Sequence, residues 1–440
     1  AVQDTRHWYG AIDSAAAKAA GAPATDKAKL LSEISRYASG KCDQRVVRTW
    51  INESAAMHDF MRSILEDKFG WECEFTSGNE AEWPAENAEH NTDYLYPVQE
   101  HNYRASESAS GLQRNEALQQ YIEELGYGID FKTSLAKIEK DSSGRITGII
   151  AQSTEDDHFI RYNANQGVLL ACGFPGNPYM MEQLDPLGTS VTTACSYSPS
   201  DKGYGIRAAV WAGANLDKEA APMLFDRGIV APGVDGGYVD SENAFGGKAF
   251  PGKIKQYNPG TQPFLKVNSR GERFFNESAN AWDLMQAMKQ NEAQYLIMDQ
   301  TAFDNFNAGM TNSKIYTMED VEKWLSDDYD GQPVMKQGAT LAELCEKLNL
   351  PADAVEASAK AFNDCAVAQT ADAFGRTPAA AQSEEGPFYA LQMHIRYYAS
   401  LGGLHINDSM QVLNTKQEAI PGLYAAGEVV GGLEGDVYMG

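Results

Sequence analysis

Four side chains that could move a proton or hold a charge come directly before a glycine pair near the C-terminal end of the chain. They are His394, Arg396, Tyr397 and Tyr398, and the pair is Gly402–Gly403. Histidine exchanges a proton near neutral pH, and a phenol or a guanidinium can donate a hydrogen bond to a developing oxyanion. His394, Arg396 and Tyr398 are therefore candidate catalytic residues. A purely structural role at the start of a strand stays open for each of them.

The charge of the chain narrows the partners that it could bind. Lys and Arg total 36 against 61 Asp and Glu, which gives a net charge of -25 over 440 residues. A field of this sign repels phosphate backbones and anionic membranes, so we expect a small-molecule substrate and no nucleic acid. No apolar run approaches the ~18–20 residues of a membrane span. The compartment stays open between the cytoplasm and the bacterial cell envelope.

The cysteines and histidines do not have the spacing of metal ligands. Six cysteines and seven histidines are scattered along the chain without a CxxC, HxxxH or HxH pair. Zinc sites and other protein metal sites usually show such pairs in the sequence. We therefore predict that the protein has no metal site.

The first half of the chain alternates between helical and strand-like patterns. Residues 11–70 are rich in helix formers with apolar residues at helical spacing, and a helix over 115–125 stops at Gly126. Residues 71–112 show no period and predict an irregular segment. The period then changes to two, which predicts a β-meander of three strands at Phe131–Ile138, Arg145–Gln152 and His158–Tyr162.

An apolar strand followed by glycine occurs twice in the sequence. Gly167–Cys172 leads into Gly173, and Pro421–Ala426 leads into Gly427. Glycine at the end of a buried strand lets a cofactor approach the backbone closely. Residues 221–264 predict loops, and the other predicted elements are helices at Ile206–Ala212 and from Thr340 to Leu348, and strands at Tyr397–Ile406 and Gln411–Leu413. This alternation predicts an α/β fold that carries the β-meander as an insert.

Four parts of the sequence resemble a single family of flavoproteins. They are Val168–Asn177, Gly203–Ala214, Leu265–Glu277, and the combination of Leu401–Gly403 with Ile420–Gly432. In this order they are similar to motifs of the FAD-binding fumarate reductase and succinate dehydrogenase flavoprotein family, which includes urocanate reductases and 3-ketosteroid dehydrogenases. The resemblance covers residues 45–440, and the last combination is its most specific part.

The resemblance implies a discontinuous Rossmann-like FAD-binding domain with an inserted α+β cap. We expect the FAD-binding domain over residues 1–215 and 385–440, and the cap, which would carry the substrate side of the site, over residues 216–384. The resemblance also implies FAD as the cofactor, bound through Ala171, Gly173, Gly402, Gly403, Gly427 and Glu428.

One motif of the family is not found in this sequence. The dinucleotide fingerprint GxGxxG occupies the N-terminus of its members, where it places a helix dipole on the FAD pyrophosphate. This chain begins beyond the corresponding point and stops before the closing helix of its relatives. We therefore expect both ends to be cut, with the N-terminal βαβ unit and the C-terminal helix missing.

The catalytic residues of the fumarate-type members also differ. Their two arginines fall on Ala281 and Tyr438, and their histidine falls on Ala399 or one of its neighbours. A dicarboxylate needs charge-assisted, bidentate donors, so fumarate and succinate are not the expected substrates. Tyr438 instead resembles a tyrosine of the ketosteroid dehydrogenases, where it would donate a hydrogen bond to a ketone. It is therefore a fourth candidate catalytic residue.

The predicted activity is hydride transfer between flavin N5 and the activated C=C bond of an enone- or acrylate-like substrate. Two alternatives stay open. One is a 3-ketosteroid-type dehydrogenase that runs in the oxidative direction, and the other is a flavin-free, non-catalytic binding protein. A reductase would need a separate electron donor, because the sequence has no haem-attachment motif.

Overall fold

The computed structural model describes residues 9–78, 98–105, 114–173, 181–182, 185–195, 203–218, 222–242, 248–252, 257, 259, 264–279, 281–291, 293–312, 316–326, 333–376, 381–382, 384–400 and 402–433. Helices lie at α1 (Ala15–Ala19), α2 (Lys27–Tyr37), α3 (Gln44–Leu65), α4 (Arg114–Glu124), α5 (Pro186–Val191), α6 (Tyr204–Trp211), α7 (Ala281–Asn291), α8 (Gln300–Asn312), α9 (Met318–Leu325), α10 (Leu341–Leu348) and α11 (Ala352–Ala368). Strands lie at β1 (Tyr9–Gly10), β2 (Trp71–Gly78), β3 (Val98–Ala105), β4 (Thr133–Lys140), β5 (Ile146–Ser153), β6 (Phe159–Asn163), β7 (Val168–Leu170), β8 (Thr192–Cys195), β9 (Pro222–Val230), β10 (Val239–Glu242), β11 (Lys248–Ala249), β12 (Leu265–Val267), β13 (Gln294–Asp299), β14 (Met335–Gly338), β15 (Phe388–Ser400), β16 (Gln411–Leu413) and β17 (Ala419–Ala425).

The N-terminal region packs helices against a three-stranded antiparallel sheet with the order β1-β3-β2. Helix α3 begins at the cap residue Asp43, whose side chain accepts a hydrogen bond from the N–H of Arg45. Its buried residues recur at helical spacing: Val47 and Ile51 pack against α2, and His58 lies against His101 of β3. Val46 belongs to the main core, so α3 connects this region to it.

The β-meander is confirmed as an antiparallel sheet with the order β4-β5-β6. The turn between β4 and β5 forms as the sequence predicts, because the Asp141 carboxylate accepts hydrogen bonds from the N–H groups of Ser143 and Arg145. Ile138 and Ile146 on the inner side are buried in the main core.

A sheet of six strands forms the centre of the second half. Its order is β12-β13-β15-β14, and β8 and β9 also pair with β15. Strand β15 is long and carries aromatic and branched residues, which favour a strand that is buried on both faces. Its pairing with β8 is parallel and its pairing with β9 is antiparallel, and both partners change register opposite Ile395 and Arg396. Strand β8 lies before residue 216 and β9 lies after it, so this sheet contains strands from both sides of the predicted domain boundary. The boundary itself stays a prediction.

Three predicted elements need correction. Residues 71–112 are not irregular throughout, because β2 and β3 form a hairpin-like pair in which Trp71 lies opposite Ala105. Residues 221–264 are not all loop, because β9 covers nine of them. The strand predicted at Tyr397–Ile406 starts earlier, at Phe388, and ends at Ser400. In the first two cases, pairing with another strand outweighs a local sequence that is rich in polar residues, glycine or proline.

Four charged side chains hold the segment after β12 against the end of α11. Arg273 lies between the carboxylates of Glu277, at 2.6 Å, and Asp372, at 2.7 Å, and it is almost fully buried. Arg376 is fully buried and its guanidinium stacks 3.7 Å from the centre of the Phe362 ring. Arg273 therefore serves the local fold.

Within the described part of the chain, no helix is both long and apolar enough to cross a membrane. In the same residues, no group of three or more His, Cys, Asp or Glu side chains is arranged to hold a metal ion.

Candidate functional site

The two apolar strands that end in glycine lie side by side. Strands β7 and β17 pair in parallel, with Leu423 opposite Val168 and Ala425 opposite Leu170. The pairing extends by one more hydrogen bond, in which the N–H of Ala426 donates to the carbonyl oxygen of Leu170 at 3.0 Å. Because parallel strands share the direction of their carboxyl ends, residues 171–173 and 427–428 meet at one edge of the sheet.

The glycine pair after β15 packs against the same place. The N–H of Leu404 donates to the carbonyl oxygen of Val429 at 2.8 Å, and a Cβ on Gly403 would lie only 2.3 Å from that oxygen. Gly402 and Gly403 are both buried. The structure thus brings all six candidate cofactor residues together, and we call residues 171–173, 402–403 and 427–428 the glycine edge.

The outer side of the glycine edge leaves room for a ligand. Gly427 has a φ of +79°, and a Cβ built on it would have no atom within 4 Å. Glu428 next to it is exposed. Bare backbone beside an exposed carboxylate fits a flavin nucleotide, whose flat ring needs close approach and whose hydroxyl groups need acceptors.

A further residue at this site was not predicted from the sequence. The N–H of Asp217 donates to the carbonyl oxygen of Gly403 at 2.8 Å, and its Oδ1 accepts from the N–H of Lys218 at 2.8 Å. Its Oδ2 is buried and has no hydrogen-bond partner among the described residues. A buried carboxylate oxygen without a donor is costly, which makes Asp217 a candidate acceptor for a ligand hydroxyl. No sequence motif marks this position.

The start of α3 supports the loop that follows the glycine edge. The N–H of Asp43 donates to the carbonyl oxygen of Gly432 at 2.8 Å. The hydrogen bond from Arg45 is the main cause that lowers the pKa of Asp43, so this cap stays ionised. Val46 continues the contact into the main core.

The candidate catalytic residues on β15 point into a tightly packed region. His394 and Arg396 are only 2% and 5% exposed. His394 Nε2 lies 3.2 Å from the carbonyl oxygen of Val234 and 3.0 Å from Gln392 Nε2. His394 precedes the last residue of β15, Ser400, by six residues, which is roughly 20 Å along a strand that rises ~3.3 Å per residue. The structure therefore places His394 with the loop before β10 and not at the glycine edge.

Tyr398 and Tyr438 are the other two candidate catalytic residues. The backbone of Tyr398 lies in β15, close to its end, and Tyr438 lies outside the described residues. Their catalytic roles stay predictions.

Tyr397, near the end of β15, has a buried side chain with hydrogen-bond partners. It is 2% exposed, its hydroxyl shares a hydrogen bond with the Thr189 hydroxyl, and it lies 3.4 Å from the carbonyl oxygen of Asp185. Burial raises the pKa of Tyr397 well above its usual range. Asp185 in turn caps α5 and accepts a hydrogen bond from Lys289 Nζ at 2.8 Å. Tyr397 is therefore a neutral anchor between β15 and α5.

Comparison with known families identifies the class of protein to which this site belongs. The model of the "FAD binding domain" family matches residues 9–438. The chain belongs to this family. It is therefore a member of the flavoprotein reductases and dehydrogenases that act on CH–CH bonds, with FAD as the family's cofactor. The predicted flavoprotein class is confirmed, and the alternative of a flavin-free binding protein is not supported.

Relatives with different substrates are similar to this chain. Vinyl phenol reductase of Lactiplantibacillus plantarum is 27% identical over 444 residues, which cover 97% of this chain and 82% of the relative. NADH:acrylate oxidoreductase of Vibrio harveyi is 27% identical, over 75% of this chain and 30% of the relative. Urocanate reductase of Eggerthella lenta is 24% identical, over 68% of this chain and 45% of the relative. The matches thus span less than half of the last two proteins.

Solved structures confirm the mixed α/β fold. The 3-ketosteroid-Δ4-(5α)-dehydrogenase of Rhodococcus jostii RHA1 superposes with a TM-score of 0.66 at 18% identity, over 98% of this chain and 84% of that chain. The open form of a flavocytochrome c3 fumarate reductase superposes with a TM-score of 0.64 at 18% identity, over 97% of this chain and 65% of that chain. At this identity the likeness concerns the fold alone.

Proposed function

We propose that the protein is an FAD-dependent reductase of alkenes that are conjugated to a carbonyl group or an aromatic ring, and that dicarboxylates are not its substrates. The observation that carries this proposal is that two lysines in the region around Tyr397 are each paired with a carboxylate of the protein. Lys289 and its partner Asp185 are only 15% and 13% exposed, with Nζ and Oδ2 2.8 Å apart. Lys248 Nζ lies 3.2 Å from Glu182 Oε2. Both ammonium groups already have a carboxylate partner in the protein.

A dicarboxylate such as fumarate needs two cationic clamps to replace its lost hydration. The positions that correspond to the two arginines of fumarate-type relatives hold Ala281 and Tyr438, and that of their histidine falls on Ala399 or its neighbours Tyr398 and Ser400. Ala281 begins α7, and Ala399 pairs with Met223 inside the large sheet. None of these side chains can supply charge. A substrate with at most one carboxylate fits these residue types better.

Reductases of a dicarboxylate and reductases of other alkenes are both similar to this chain, so sequence identity alone does not decide the substrate. Fumarate reductase (cytochrome) of Shewanella frigidimarina is 27% identical over 322 residues, the same identity as vinyl phenol reductase. Vinyl phenol, acrylate and urocanate, after which three relatives are named, each carry at most one carboxylate. They support the proposed substrate class, while the side chains named above argue against fumarate.

Bound FAD would supply a hydride from its N5 atom to the β-carbon of the alkene. We propose that the protein supports this step through close backbone approach and through hydrogen-bond acceptors. Gly402, Gly403 and Gly427 let the backbone approach the ring, and Glu428 and Asp217 accept hydrogen bonds from hydroxyl groups. Ala171 and Gly173 lie at the end of β7 on the same edge.

The candidate catalytic residues would act on the charge that develops on the substrate. Tyr438 would donate a hydrogen bond to the oxygen that becomes enolate-like, with Tyr398 as a second donor. The proton for the α-carbon would come from a second acid. Arg396 is the candidate that stays on β15, whereas the contact of His394 with Val234 argues against that role for the histidine. We propose that residues 216–384 close as a cap over the substrate near the end of β15.

Steady-state reduction tests this function and its direction. Under anaerobic conditions, reduced methyl viologen replaces the separate electron donor that we propose for the protein. We expect oxidation of the dye with an aryl alkene, an enone or an acrylate, and turnover of fumarate at least about a hundredfold slower, since a missing bidentate ion pair costs ~3 kcal/mol or more. Fast turnover of fumarate would disprove the substrate argument. Dehydrogenation of a 3-ketosteroid with an artificial acceptor, without any reductase activity, would favour the oxidative alternative.

A further inference from the structure

Three aromatic rings follow one another from the end of β15 towards the surface. The ring centres of Tyr397 and Phe250 are 5.9 Å apart with the planes at 74°, and those of Phe250 and Tyr238 are 4.8 Å apart with the planes at 33°. These are the edge-to-face and tilted arrangements that aromatic pairs prefer. We call Tyr397, Phe250 and Tyr238 the aromatic row.

The inner end of the aromatic row belongs to the core that supports the glycine edge. Tyr397 lies in the same hydrophobic cluster as Leu404 and Val429, and Phe250 packs against that cluster. Tyr397 precedes Gly402 by five residues in the sequence. The row therefore starts in the core on which the glycine edge packs.

The segment that carries the outer part of the row is hydrogen-bonded to β8, but its rings are not fully buried. The N–H of Gly252 donates to the carbonyl oxygen of Thr193 at 2.6 Å, and the N–H of Gly237 donates to that of Thr192 at 2.8 Å. These bonds attach both ends of the β10–β11 segment to β8. Phe250 and Tyr238 are nevertheless only half-buried, so part of each ring surface remains available.

The end of the row is polar. Lys248 Nζ lies 4.6 Å from the centre of the Tyr238 ring and is paired with Glu182. A surface of tilted aromatic rings that ends in a phenol suits a substrate ring with a polar substituent. Such a surface gives little advantage to an aliphatic chain of equal size, because only a ring makes the stacking and edge contacts.

We infer that Phe250 and Tyr238 form the wall that selects substrates whose C=C bond carries an aromatic ring. This inference rests on the proposed function, since it names the substrate class of the same site. Phe250 supplies the main contact, Tyr238 extends it to the polar rim, and Tyr397 fixes the position of both.

Binding of two unreactive ligands to the flavin-loaded full chain tests the wall without any need for turnover. 3-Phenylpropanoate carries a ring and a carboxylate, and hexanoate carries the carboxylate and a chain of similar apolar size. We expect F250L and Y238L to weaken binding of 3-phenylpropanoate by about fivefold to tenfold, as loss of one aromatic contact predicts, and to leave hexanoate within about twofold. The variant F159L, which changes a 65% exposed ring on the β-meander, should change neither.

The possible outcomes separate this inference from the proposed function. The wall is disproved if F250L loses affinity for both ligands equally or for neither. It is also disproved if the wild-type protein does not bind 3-phenylpropanoate. Selective loss of 3-phenylpropanoate binding in a protein that reduces no alkene would support the wall and reject the reductase. In an active protein, F250L should raise KM for an aryl alkene and leave KM for acrylate unchanged.

Discussion

The side chain of Asp217 lies so close to Gly431 that a Cβ at position 431 would have to displace it. A Cβ there would lie 2.4 Å from Asp217 Oδ2. The same aspartate is hydrogen-bonded through its N–H to Gly403. Asp217 thus joins the loop after β17 to the glycine pair after β15, and the shape of the proposed flavin site depends on this contact.

Replacement of Gly431 by alanine should disturb this contact. We expect G431A to lose about 1–3 kcal/mol of stability, the usual cost of overpacking, and to retain less FAD. Urea unfolding and the flavin content after gel filtration would measure the two effects. Gly128 offers a matched control, because a Cβ there meets no atom within 4 Å. Equal behaviour of G431A and G128A would show that the contact does not matter.

Glu428 is expected to bind the cofactor through its carboxylate. We expect E428Q to weaken FAD binding by roughly tenfold to a hundredfold, because a hydrogen bond to a charged acceptor contributes ~1.5–3 kcal/mol. Titration of the apoprotein with FAD, followed by flavin fluorescence, gives the affinity. The control E356Q removes the charge of another exposed carboxylate, on α11. If both variants bind FAD like the wild type, Glu428 is not a ligand.

Tyr438 is expected to stabilise the transition state and not the folded protein. We expect Y438F to reduce kcat by about a hundredfold with little change in KM or in FAD content, as removal of one oxyanion donor does. Tyr127, which is 70% exposed, provides the control Y127F. A normal kcat in Y438F would leave Tyr438 with a structural role only, the alternative that its sequence position allows.

A pair of buried histidines makes the N-terminal region sensitive to acid. His58 and His101 are both 0% exposed with ring centres 4.0 Å apart, and His58 Nδ1 lies 2.7 Å from the Tyr9 hydroxyl. Burial lowers the pKa of His58, and it lowers that of His101 to about 4. The unfolded chain, with histidine pKa values near ~6.5, then binds more protons than the folded chain.

Stability should therefore be complete above about pH 6.5 and should fall as the pH drops towards 4. Urea unfolding at pH 7.5 and at pH 5 measures the difference, and H101Q should make it smaller. The exposed His158 gives the control H158Q, which should keep the wild-type difference. If H101Q keeps the full pH dependence, the acid sensitivity has another source.

Local sequence patterns predicted the elements that depend on residue period and turn residues. The β-meander follows from period-two segments with turn residues at Asp141–Gly144, and the glycine edge follows from two apolar strands that each end in glycine. The sequence did not predict β9, because a strand that runs from Pro222 to Val230 is stabilised by its pairing with β15. Asp217 was missed for a similar reason. Its environment is created by Gly403 and Gly431, and both are far away in the sequence.

The resemblance predicted the cofactor site better than the catalytic site. Glycines at the glycine edge serve close backbone approach, which depends on residue type and can be read from the sequence. Histidine and arginine on β15 can serve either chemistry or packing, and the burial of His394 depends on the loop at Val234, which only the fold reveals.

The central claim is that this flavoprotein reduces an alkene that is not a dicarboxylate, and a single-turnover experiment tests it most directly. The full chain is loaded with FAD, reduced with dithionite without oxygen, and mixed with one alkene in a stopped-flow spectrometer. Return of the oxidised flavin band should be fast with an aryl alkene or an acrylate and should be slower by about a hundredfold or more with fumarate. Fast reoxidation by fumarate alone would contradict the account.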